Sequence, residues 1–122
     1  MILEDLKSFI TEKNIVDEGD VKFDYDGAGG ENCVVIWKNG SQPCDVARRP
    51  TVQITVKNTD LAASRLICEE IFKALYPEDQ YQKAMEINGK IMHVMILKEP
   101  FYLEKDASDR HCYVLNVAIV HG

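Results

Sequence analysis

Reactive side chains are few and scattered in this sequence. Cysteines fall at positions 33, 44, 68 and 112, histidines at 93, 111 and 121, and no two cysteines form a C-x-x-C pair. His111 and Cys112 are neighbours in an alternating run. Their side chains leave on opposite faces, so they cannot act on each other as base and nucleophile. His93 stands between Ile91 and Met95 in a strand-like run, the setting of a structural histidine. Asp106 and Asp109 flank a turn and are within reach of a cation. The alternate ligands, central glycine and closing glutamate of an EF-hand loop are missing, and turn acids that bond their own backbone account for both residues. Zinc-ligand spacing is also missing. Glu86, Lys90 and Asp106 are the groups that a small metal-dependent nuclease would have to bring together. The stretch Asp26–Asn32 (DGAGGEN) is glycine-rich, but a phosphate-binding loop needs a following Lys-Ser/Thr and a helix. An apolar strand follows instead, which makes the glycines turn residues. No catalytic residue, cofactor or metal is expected.

The elements that would have to position such groups are easier to read. The segment Arg49–Pro77 begins as a strand, with Val52, Ile54 and Val56 on one side and Gln53, Thr55 and Lys57 on the other. It continues as a helix at about 60–76, with Leu61, Cys68, Ile71, Phe72 and Leu75 at helical spacing. Asn58, Thr59 and Asp60 supply the start and Pro77 the stop. A first helix is expected over residues 2–13, with Leu6, Phe9 and Ile10 inward and Asn14 at its end. Strands are expected at 21–25, at 33–37 as a central strand covered on both faces, and at 111–121. Asn88-Gly89 marks a hairpin between 85–87 and 90–98. Pro100 interrupts the second arm, so that 101–103 starts a new extended piece. Asn39–Arg48 reads as a long loop. The sum is an α+β fold: one mostly antiparallel sheet with the N-terminal helix and the 60–76 helix packed on one face.

The chain has 122 residues and a net charge of −6, which predicts one domain over 1–122. The acidic balance opposes broad DNA binding, which depends on neutralising many phosphates. No apolar run approaches the roughly 20 residues of a membrane span, and the acidic N-terminus does not read as a signal peptide. The scattered cysteines are expected to be free thiols of a reducing compartment. Runs 91–97 and 112–120 are apolar on both sides. With two helices to cover one sheet face, the remaining apolar surface predicts burial by another subunit.

Four segments in this order, RPTVQITVKN (49–58), EEIFKALYP (69–77), EINGK (86–90) and PFYLEKDASDRHCYVLNVAI (100–119), carry a resemblance. The chain resembles the small minor capsid proteins of tailed phages and prophages of Gram-positive bacteria, which in turn resemble siphophage tail terminators, the tail-completion or head–tail joining proteins. Lys57 stands where an arginine is usual in the family and Glu104 where a glycine is common. The resemblance implies a structural, non-enzymatic virion protein, made in the host cytoplasm. It also implies self-association into a ring, typically a hexamer, that caps the tail tube protein and meets a head-completion or connector protein, with DNA only as passing cargo. The alternatives are another head-closure or neck component and, more remotely, the small nuclease. Expected contact residues are Arg48 and Arg49 at the end of the long loop, Gln53 and Lys57 on the outward row, and Phe101, Tyr102, Asp106 and Arg110 around the last turn. Phe101 and Tyr102 read equally well as core.

Overall fold

The computed structural model describes residues 2–23, 32–42, 49–76, 82–87 and 89–120. The first helix, α1, spans Ile2–Glu12 and a 3-10 turn spans Glu18–Asp20. Six strands follow with one further helix among them: β1 (Val21–Phe23), β2 (Cys33–Gln42), β3 (Arg49–Asn58), α2 (Leu61–Leu75), β4 (Gln82–Ile87), β5 (Lys90–Lys105) and β6 (His111–Val120). They form one sheet in the order β1-β2-β3-β6-β5-β4. Only the β1–β2 pair is parallel; the other four pairings are antiparallel. The fold is therefore the expected α+β class, with a mixed, curled sheet and two helices.

Helix α1 is amphipathic, and Leu3, Leu6, Phe9 and Ile10 are its buried stripe. Its end is a Schellman-type turn: Asn14 sits at φ +59, its N–H donates to the Thr11 carbonyl, and the Ile15 N–H donates to the Ile10 carbonyl. Helix α2 begins at Asp60, whose carboxylate accepts the Ala62 N–H at 3.0 Å. Asn58 accepts the Asp60 N–H at 2.9 Å and Asn32 the Thr59 N–H at 3.0 Å, so the entry to the helix is tied to the start of β2. Cys68, Ile71 and Leu75 are its buried face.

The main core lies between the helices and the sheet. It combines those helix residues with Val34 and Ile36, Val52, Ile54 and Val56, Leu115, Val117 and Ile119, and Met92 and Val94. Helix α2 rests on β3, β6 and β5, while α1 touches β2 and β4 on either flank, as the curl of the sheet permits. The other face is also closed along its middle: Val35, Thr55, Cys112, Val114 and Ala118 are all buried. Strand β2 is thus covered on both sides over Cys33–Ile36, as its unbroken apolar run requires.

Three details differ from the sequence reading. Strand β2 continues through Asn39, Gly40 and Ser41, because pairing with Arg49–Thr51 outweighs their low strand preference; the register shifts between Lys38 and Gly40. Strand β5 is one element of 16 residues and not two. Its register slips between Ile96 and Lys98, between Lys98 and Phe101 and between Tyr102 and Glu104, and these irregularities absorb Pro100. Strand β1 joins β2 in parallel, with Val21 opposite Val34 and Phe23 opposite Ile36, an exception to the antiparallel pairing of the other strands. In the 88–89 hairpin Gly89 has φ +79, the left-handed value that the turn needs, whereas Asn88 lies outside the described residues.

Candidate functional site

The residues with possible chemistry do not meet. Glu86 is opposite Ile91 near the start of β5, whereas Asp106 follows its last residue. Lys90 donates to Asp5 at 3.1 Å, and this ion pair fastens α1 to the β4–β5 hairpin. His93 is exposed. The Cys112 thiol is pushed up by burial, with Lys57 pulling it down and Asp106 and Glu104 raising it. Burial also pushes the Cys68 thiol up to about 12. Both stay protonated at neutral pH and are poor nucleophiles. Among the described residues no group of three or more His, Cys, Asp and Glu side chains is placed to hold a metal ion.

What the last turn builds instead is a clasp. Asp106 Oδ1 accepts the backbone N–H groups of Ser108 and Arg110, each at 3.0 Å. Its Oδ2 lies 3.0 Å from Arg110 Nε and 2.8 Å from Nη2. Asp109 takes φ +59 to close the turn. Burial would raise the Asp106 pKa. The Arg110 backbone and guanidinium and the Ser108 N–H outweigh it and hold the carboxyl below its ordinary range. The Arg110 side chain is 4% exposed and also reaches Cys33 Sγ at 3.8 Å. Lys57 Nζ stands 3.7 Å from Asp106 Oδ2. Three expected contact residues, Lys57, Asp106 and Arg110, are thus gathered into one intramolecular cluster.

Gln53 is half-buried and donates to Thr55 Oγ1 at 3.2 Å. The row Gln53, Thr55 and Lys57, expected to face outward, is part of the closed second face, with Thr55 3% exposed. Phe101 is half-buried under the Lys98 ammonium, 4.2 Å from its ring centre. Arg49 belongs to β3, opposite Gln42; Arg48 lies outside the described residues.

Tyr102 is the expected contact residue that reaches the surface, at 43% exposed. Its ring meets Tyr113 edge-on at 5.5 Å, and its hydroxyl is 3.1 Å from His111 Nδ1. Beside it, Tyr113 forms one side of an open groove of about 460 Å³ whose other side is the outer face of α2: Leu61, Ala62, Arg65, Leu66 and Glu69. Leu61 and Leu66 are 45% and 56% exposed. Leu97, Leu103 and Ile91 are also exposed along β5, Ile91 on the sheet face opposite to buried Met92 and Val94. The helix period places Leu66 on neither the stripe nor its immediate flank, and this outward leucine is a signal of the groove that the sequence reading did not use.

The chain matches no protein-family model and no curated protein.

Proposed function

We propose that this chain is a structural protein that works by self-association, a tail-terminator-like subunit of a phage or prophage virion. One observation carries the reading: the exposed large apolar side chains among the described residues all lie on two adjoining elements, Leu61 and Leu66 on α2 and Ile91, Leu97, Tyr102 and Leu103 on β5. Leu61 and Leu66 border one groove with Tyr113, an apolar surface that association with another protein would bury. The acidic net charge of −6 fits the same role, since a ring with an acidic lumen repels passing DNA and keeps it from adhering. In this reading the ring, of about six copies, caps the tail tube and presents a surface to the head-completion protein.

Light scattering across a dilution series, followed by negative-stain imaging, tests it. The expected result is a closed annular particle whose mass is a whole multiple of 13.9 kDa. Adding it to growing tail tubes is expected to arrest their elongation. A species of one subunit at every concentration, with no effect on tube growth, overturns the proposal.

A further inference from the structure

Among the described residues the sheet has no further strand beyond either margin at a single level. Val21 lies opposite Val34, Val34 opposite Val56, Val56 opposite Tyr113 and Tyr113 opposite Tyr102. Along this row β1 is one margin and the last part of β5 is the other, because β4 pairs only with Lys90–Met95. Among the described residues no strand lies outside β1 or outside residues 96–105 of β5. Such a margin is a row of backbone donors and acceptors that can pair with another chain. Pro100 lacks an N–H and blunts the β5 margin above it, which leaves Phe101–Lys105 as the usable stretch. Tyr102 and Leu103, both exposed, stand on it.

We infer that the Phe101–Lys105 margin of one copy pairs with the Val21–Phe23 margin of the next, so that copies join head to tail through one continuous sheet. The inference rests on the self-association reading and names its surface. Strand direction supports it. β1 runs with β2, and three successive antiparallel pairings then leave β5 running against β1. A rotation about an axis along the strands keeps those directions, so β5 of one copy meets β1 of its neighbour in antiparallel fashion, and repeating the rotation closes a ring. Lys105 is opposite His111, at the same end of the sheet as the residues before β1, but stands 3.7 Å from Asp109, so strand direction and not charge selects the partner margin. A two-fold pairing of β5 with itself would leave the β1 margin open. Head-to-tail joining occupies both.

The test uses the full chain with Cys44→Ser, since Cys33, Cys68 and Cys112 are buried. Asp20→Cys and Leu103→Cys are introduced together and singly, and oxidised samples are run without reductant. The double variant is expected to give a ladder of covalent species ending at the ring number, and each single variant none. Leu103→Glu, an exposed position that leaves the melting temperature unchanged, is expected to reduce the assembled mass to one subunit. If the unaltered protein forms rings but no ladder appears and Leu103→Glu still assembles, this pairing is overturned and self-association stands. A covalent dimer from Leu103→Cys alone overturns the head-to-tail arrangement in favour of a two-fold one. A monomer at every concentration with no ladder overturns both readings.

Discussion

Arg110 Nη2 lies 2.8 Å from Asp106 Oδ2, in a site where the arginine side chain is 4% and the aspartate 14% exposed. The ion pair closes the β5–β6 turn and anchors it under the second sheet face through Cys33. Removing the carboxylate leaves a buried cation without its main partner. Asp106→Ala is expected to cost about 3 kcal/mol, read as a lower midpoint in urea. Asp106→Asn, which can still accept the Ser108 and Arg110 backbone N–H groups, is expected to cost less.

The same carboxylate sets a pH dependence. Its folded pKa is depressed below the ordinary 3.8. The stability it contributes is therefore complete above the unfolded value and is lost as pH falls through the folded one. Denaturation midpoints measured from pH 6 downward are expected to fall below about pH 4, and Asp106→Asn is expected to flatten that acid limb. A limb unchanged by the substitution assigns the acid sensitivity to other carboxylates.

Ser64 is fully buried, with Oγ 2.9 Å from the Val56 carbonyl and 2.8 Å from the His111 carbonyl. One hydroxyl thus links α2 to β3 and to β6. Ser64→Ala removes the hydroxyl proton that these two acceptors share, at an expected cost of about 1–3 kcal/mol. Ser64→Val also has to fit an added methyl and is expected to cost more. Both are read by thermal or chemical denaturation.

Asn14 ends α1 in the left-handed region at φ +59. Asn14→Ala keeps the Cβ but loses the short polar side chain that lets asparagine tolerate this conformation, and is expected to destabilise by about 1 kcal/mol. Asn14→Gly is expected to be neutral to within a few tenths. The contrast between the two is the informative measurement, because loss of the amide is common to both.

How much of this was readable in the residues varied by element. The bounds of β3 and the start of α2 were legible, since alternation at 52–57 and a cap at Asp60 are local signals; Pro77 lies outside the described residues. The α1 stripe and the Asn14 stop were legible for the same reason. Local signals failed where partners decide. Leu61 has inward spacing but stands at the first helical position and is exposed, while polar Ser64 turns inward to two carbonyls. No hydrophobic periodicity reports such a residue. Pro100 looked like a strand end because its missing donor was weighed without the bulges that excuse it. Arg110 looked like a surface charge because burial of a guanidinium depends on a carboxylate four residues earlier folding back onto it. The apolar surplus of 91–97 did announce exposed side chains, Ile91 and Leu97, whereas that of 112–120 did not: Cys112, Val114, Leu115, Val117, Ala118 and Ile119 are all buried. That α2 would add Leu61 and Leu66 to the exposed apolar residues was not part of the sequence reading.

The two strands at the middle of the sheet are β3 and β6, and their pairing joins Thr51–Asn58 to residues 111–118. Nothing between the two ends of that interval can complete the sheet on its own. During synthesis the first half of the chain therefore has no finished scaffold to settle on until β6 has left the ribosome, and contacts this distant in sequence make for slow maturation. Truncation before β6 is expected to yield aggregation-prone polypeptide and not a smaller folded piece. In the cell, the supply of folded protein would then be governed by completed translation.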